Sequence, residues 1–114
     1  MTTFPAGTVA WASDPTNAHD ERPLIVLSHE NRPFSSVECT VMCLRTSAKH
    51  YDHYAPELED DCLSGITFTD TTYLMPWALY TIPPGAVQTG KARGELTEKE
   101  EHLVKKALIG LFTV

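Results

Sequence analysis

The sequence predicts a small, mainly-β α+β domain: a barrel or roll of short antiparallel strands closed by one C-terminal helix. Three observations carry this. Short runs with two-residue alternation or dense apolar β-formers recur through most of the chain. Clusters of turn formers such as "DPTN" and "HENRP" separate them. Helical periodicity and a helix start signal coincide once, near the carboxyl end. A chain of 114 residues holds one such domain with a modest core, so residues 1–114 are expected to form a single domain. No internal repeat or low-complexity tract interrupts it.

Each element has its own reason. "GTVAWAS" (Gly7 to Ser13) reads as a first strand with Val9 and Trp11 on one face. "DPTNAHDE" (Asp14 to Glu21) is dense in turn formers and reads as a mobile polar loop. "RPLIVLS" (Arg22 to Ser28) is a continuous apolar run bounded by turns, the pattern of a central strand buried on both faces. Its proline is tolerated at the strand start. "HENRPF" is the next turn, and "SSVECTVMCLRTSAK" then alternates. Val37, Cys39, Val41 and Cys43 take one face, Glu38, Thr40, Met42 and Leu44 the other, and the strand ends near Arg45–Thr46. "HYDHYAPELEDD" (His50 to Asp61) is irregular, with "ELEDD" read as a solvated acidic loop. "CLSGITF" and "TTYLMPWALYTI" follow as strands, the second bent or bulged at Pro76.

In "LTEKEEHLVKKALIGLF", Thr97 and Glu100 have capping-box spacing. Leu103, Val104, Ala107, Leu108 and Leu111 line one helical face. Glu98, Glu100 and Glu101 precede Lys105 and Lys106, the order that the helix dipole favours. "YLMPWALY" (Tyr73 to Tyr80) carries more large apolar side chains than one strand buries alone, which predicts a homodimer.

Composition narrows the function classes. Hydrophobic residues make up 42% and charged residues 21%, an ordinary globular balance. No apolar run approaches the ~20 residues of a membrane span. The start "MTTFPAGTVAW" lacks the layout of a signal peptide, so a cytoplasmic protein with no membrane partner is expected. Three cysteines (Cys39, Cys43 and Cys62) without scaffold-like spacing fit a reducing compartment. The formal net charge of -6 does not favour bulk attraction to nucleic acid. Any such contact falls to a local set such as Arg22, Arg32, Arg45 and Lys49.

No metal or other cofactor is expected. Cys39 and Cys43 on one strand stand ~13 Å apart, too far to share a zinc ion. His50, Asp52 and His53 lack a matching cysteine or histidine set. The residue that stands out is Arg22, at the mouth of a buried strand. Read alone it is a solvated surface cation, worth under ~1 kcal/mol to stability. His29 directly follows the same strand, as a plain turn histidine or as a proton carrier.

Taken in order, "ERPLIVLS", a strand ending "RTS", a late strand ending "LYTI" and "GEL" before an amphipathic helix resemble the PemK/MazF toxin ribonucleases of type II toxin–antitoxin systems. The likeness is to their shorter, archaeal-type version, and it covers Gly7 to Phe112. It implies an SH3-like barrel, a homodimer, and metal-independent, sequence-specific cleavage of single-stranded RNA such as mRNA. It also implies growth inhibition, a cognate antitoxin that covers the dimer groove and orders or displaces the Asp14–Glu21 loop, and operator DNA binding only through the antitoxin complex.

The resemblance makes Arg22 the catalytic arginine, holding phosphate with a planar, two-pronged donor set. It makes Thr46 the active-site threonine, with Ser47 as a second donor. Arg45 and His29 are then further candidates for substrate contact, and Trp77 and Tyr80 candidates for stacking on bases. The sequence departs where well-studied members carry Gln-x-Arg at the end of the late strand. Ala78 and Tyr80 stand there, so one positive group is missing. That departure supports an alternative: a non-catalytic barrel module that binds protein or nucleic acid without cutting.

Overall fold

The computed structural model describes residues 4–46, 54–59, 63–88, 91 and 93–112. Among the described residues, seven strands form one antiparallel sheet: β1 (Thr8–Ser13), β2 (Glu21–Val26), β3 (Cys39–Arg45), β4 (Glu57–Leu58), β5 (Leu63–Ser64), β6 (Thr72–Ile82) and β7 (Gly94–Leu96). A 3-10 turn at Pro84–Ala86 follows β6, and helix α1 (Glu98–Leu111) ends the chain. The sheet runs β4-β6-β3-β2-β1-β7-β5 and curls into a half-barrel. The predicted mainly-β barrel fold with a C-terminal helix is found.

β2 lies at the middle of the sheet, paired with β1 (Val9 with Ile25) and with β3 (Ile25 with Met42). Its apolar run is continuous because both of its faces are covered. Ile25 joins Val9, Met42, Leu44 and Leu74 under the helix, where Leu103, Val104, Ala107 and Leu108 pack. Leu24 and Val26 join Ala10, Ala12, Val41 and Ile82 on the other face, under Phe4 and Val87. Leu24, Ile25 and Val26 are all fully buried, and each such side chain contributes roughly 1.5–3 kcal/mol of transfer free energy. The predicted alternation of β3 holds from Cys39 onward, with Met42 and Leu44 in the first cluster and Cys39 and Val41 in the second. The strand starts later than expected: Val37 and Glu38 are held back by N–H donation to the Phe34 carbonyl, and Val37 is exposed.

The irregularity expected at Pro76 is present. Met42 pairs with Leu79 and Leu44 with Leu74, so the stretch Met75 to Ala78 lies opposite Cys43 alone. A proline has no N–H for the ladder, and a bulge accommodates it.

Four expectations are corrected. "CLSGITF" yields only the two-residue β5, because Gly65 at φ +86° turns the chain out of the extended path. Its Ile66 still enters the core, and Phe68 meets Trp11 edge-on at 6.2 Å. Within "ELEDD", Glu57 and Leu58 are not loop but pair with Tyr73 and Thr72 as the edge strand β4, while Asp60 and Asp61 lie outside the described residues. Thr97 is the N-cap, yet the capping box is not made. The Glu100 N–H donates to the Thr97 carbonyl at 3.0 Å, and Thr97 Oγ1 is buried without a partner among the described residues. Helix entry is fixed instead by buried Leu96, whose N–H donates to the Gly7 carbonyl at 2.8 Å.

The apolar surplus of Tyr73 to Tyr80 is the fourth. Leu74, Met75, Pro76 and Ala78 are buried within one chain, and Trp77 alone of this stretch is exposed. Two packed faces absorb what one face would have left bare. Among the described residues, no helix is long and apolar enough to cross a membrane.

The close packing at Gly94 makes a prediction. A Cβ on Gly94 would lie 2.2 Å from the Ser64 carbonyl oxygen and 2.9 Å from the Ile66 nitrogen, both backbone atoms. Gly94→Ala must therefore separate β5 from β7, at an expected cost of about 1–3 kcal/mol. Urea unfolding measures it, and an unchanged midpoint would mean that β5 does not pair there in solution.

Candidate functional site at the mouth of strand β2

Arg22 is the second residue of β2 and pairs with Ala12 of β1. By strand alternation its side chain shares a face with Leu24 and Val26. It is not the solvated cation read from sequence: Arg22 is 6% exposed. Its Nε donates to Asp14 Oδ1 at 3.0 Å, and its Nη1 donates to the Leu44 carbonyl at 3.1 Å. Nη2 makes no hydrogen bond among the described residues. The guanidinium is thus gripped from one side and keeps donors for another group.

Asp14 follows β1 directly, and its side chain is fully buried. Besides Arg22, its Oδ1 accepts from the Thr16 N–H at 2.9 Å and from Thr16 Oγ1 at 2.7 Å. Its Oδ2 accepts from the His19 N–H at 2.9 Å. The loop read as mobile is organised around this one carboxylate. Asn17 takes the tight position at φ 63°, a left-handed conformation that asparagine tolerates. Glu21, on the opposite face by alternation, pairs with Lys91 and so stays clear of the guanidinium.

The electrostatics follow from burial. Desolvation pushes the Asp14 carboxyl upward, but hydrogen bonds from Arg22, Thr16 and His19 more than reverse this and hold it well below the usual carboxylate range. Burial pushes the Cys43 thiol up to about 11, with Arg22 pulling down and Asp14 pushing up. That keeps Cys43 a protonated core residue rather than a nucleophile. Cys39 is likewise buried and raised; Cys62 lies outside the described residues. Because Arg22 and Asp14 neutralise each other, an anion would be held by directed N–H groups and not by net charge.

β2–β3 pairing brings the other candidates to this end of the sheet. Thr46 is exposed one residue past Arg45, the last of β3, and two past Leu44, whose carbonyl Arg22 grips. Arg45 is half-buried. Ser47, His50, Asp52 and His53 lie outside the described residues.

One placement is corrected. His29 lies beyond the far end of β2, ~20 Å of extended chain from Arg22, and its Nδ1 accepts from the Asn31 N–H. Within one chain it does not reach the site. His19 is the histidine on the Asp14 loop: its backbone N–H donates to the carboxylate that also accepts from Arg22, and its side chain is exposed. The two stacking candidates, Trp77 and Tyr80, lie in different surroundings. Tyr80 packs on Cys43, Met75 and Ala78, whereas exposed Trp77 faces Tyr54, Arg45 and Leu111. Ala78 is buried.

Asp14 was missed by sequence reasoning. The available signal was "DPT", an acid in a turn-forming context eight residues before the arginine.

No protein-family model and no curated protein matches the sequence. Solved structures do match. One is an endoribonuclease in complex with its cognate antitoxin from Mycobacterial species, aligned over 97% of this chain and 95% of that one, with TM-score 0.63 and 17% identity. This chain has the fold of that endoribonuclease. The alignment takes in the sheet and the helix alike, so the mouth of β2 belongs to the shared architecture. At 17% identity the side chains gathered there have to be judged on their own geometry.

Proposed function

We propose that this chain is a PemK/MazF-like endoribonuclease toxin that cleaves single-stranded RNA, sequence-specifically and without a metal ion, in the cytoplasm. The observation that supports it best is the half-used guanidinium of Arg22, oriented by Asp14 and the Leu44 carbonyl in an endoribonuclease fold. The ribose 2′-OH attacks the adjacent phosphorus and the bond to the 5′ oxygen breaks, leaving a cyclic phosphate and a free 5′-OH. Arg22 donates to the phosphate oxygens as charge grows on them. The Thr46 hydroxyl orients the phosphate, and His19 carries the proton in place of His29. A homodimer and a cognate antitoxin complete the proposal, with operator DNA reached only through the antitoxin complex.

The purified full-length chain, incubated with single-stranded RNA, should produce cyclic-phosphate and 5′-OH ends in EDTA as well as in magnesium. Cleavage lost in EDTA and restored by a divalent ion would overturn metal independence and redirect attention to His50, Asp52 and His53. His19→Ala should slow cleavage more than His29→Ala, and the reverse order would return the proton-carrying role to His29.

Two observations favour the rival reading, a non-catalytic binding module. Asp14 cancels the charge of Arg22, and the late strand supplies buried Ala78 where a polar group would be needed. RNA bound but never cut would establish that reading.

A further inference from the structure

At the Arg22 end of the sheet lies a cavity of about 410 Å³ lined by Arg45, Tyr54, Trp77 and Leu111. We infer that it is a pocket for one nucleobase, occupied by a nucleotide next to the phosphate held at Arg22. The inference rests on the RNA-cleaving reading above and adds to it where the substrate's affinity comes from.

Three observations support it. First, the pocket is aromatic and open: Trp77 is 43% exposed and Tyr54 56%, and its volume falls in the ~300–1,000 Å³ range of small-ligand sites. Second, Trp77 stands in the bulged stretch Met75 to Ala78. Bulges re-aim side chains, and here the two residues before Trp77 and the one after it are buried while the indole is turned outward. The indole thereby offers a broad aromatic face to the pocket, of the kind on which a base can stack. Third, Arg45 follows Leu44, whose carbonyl accepts from Arg22. The β2–β3 register, Leu24 with Cys43, puts Arg45 and Arg22 at the same end of the sheet, so the pocket lies at the end that holds the proposed phosphate position.

The overall charge adds a consequence. At net charge -6 the protein gains nothing from bulk attraction to a polyanion, so stacking in this pocket must supply much of the binding. Affinity for RNA should then depend only weakly on salt, with a log–log slope of magnitude below about 2, the value for two or three neutralised phosphates.

The test uses 2′-O-methyl oligoribonucleotides, which cannot be cleaved because the nucleophile is blocked, titrated against the full-length chain by fluorescence. Trp77→Ala should weaken binding by about 5-fold to about 100-fold, the range for losing one base stack, and Trp77→Phe should recover most of it. Tyr54→Ala gives an independent reading if the tryptophan variant is poorly folded by circular dichroism. An abasic substitution at one oligonucleotide position should weaken wild-type binding and add nothing in Trp77→Ala.

Binding unchanged in Trp77→Ala and Tyr54→Ala, or no binding by the wild type, overturns the pocket. So does a Trp77→Ala variant that changes its sedimentation while keeping its oligonucleotide affinity, since the pocket would then be a protein contact. Cleavage of unmodified RNA, assayed separately, tests the enzymatic reading on its own. Trp77-dependent binding without cleavage would keep the pocket and remove the nuclease. Cleavage without Trp77 dependence would do the opposite.

Discussion

Arg22→Ala is expected to lose RNA cleavage by about 100-fold to 1,000-fold, the usual cost of one donor aimed at a transition-state anion. The same substitution is expected to lose about 3–5 kcal/mol of stability, the cost of leaving a buried charge without its partner. The second effect follows from structure alone. Arg22 is 6% exposed and donates to Asp14, whose side chain is fully buried. Removing the arginine strands that carboxylate in the interior. Activity must therefore be compared well below the variant's unfolding midpoint, with the folded fraction measured by circular dichroism.

Arg22→Lys separates the two roles. It keeps a cation for Asp14 but loses the planar fork that reaches Asp14, Leu44 and a phosphate at once. It should unfold closer to wild type than the alanine variant while remaining poorly active. Full activity in Arg22→Lys would show that charge alone suffices. Wild-type activity in Arg22→Ala would end the catalytic assignment, and wild-type stability would mean that the buried pair does not form in solution.

Asp14→Ala should be as damaging to stability, again by about 3–5 kcal/mol, because it leaves the Arg22 guanidinium buried and unpaired. It also removes the acceptor for Thr16 and His19, so the loop loses its organising group. Asp14→Asn is the finer probe, because it exposes a pH dependence. The Asp14 carboxyl is held below its ordinary range in the folded chain. Its contribution is then fully present above the unfolded carboxylate pKa of ~3.9 and is lost as pH falls toward the lowered folded value. Wild type should exceed Asp14→Asn in urea unfolding at pH 7, and the gap should narrow steadily below about pH 4. A gap that stays constant into acid would mean that the charge of Asp14 is not the source of its stabilisation.

Much of the fold is written in local patterns. The unbroken run of Leu24, Ile25 and Val26 has no polar face, so any sheet containing it must be covered on both sides, as it is. Leu103, Val104, Ala107 and Leu108 recur at helical spacing, and they meet the core. Pro76 cannot donate to a ladder, and the pairing slips around it. Arg22 could be picked out because an arginine beside a proline and an apolar strand is a local signal too.

What stayed hidden depends on residues distant in sequence or on how many layers cover a face. Periodicity says which side chains share a face, not what lies over it, so the burial of Leu74, Met75, Pro76 and Ala78 within one chain was out of reach. Spacing offered Thr97 and Glu100 a capping box, but packing of Leu96 set the helix start instead. His29 is near Arg22 in sequence and far in space, because an extended strand separates its ends, whereas the turn at Asp14 draws the His19 backbone to the carboxylate that holds Arg22. The Asp14–Arg22 pair is the plainest case. Each residue alone reads as a solvated charge, and only the β1–β2 hairpin, with Leu44 of β3 closing over it, makes burying both of them tolerable.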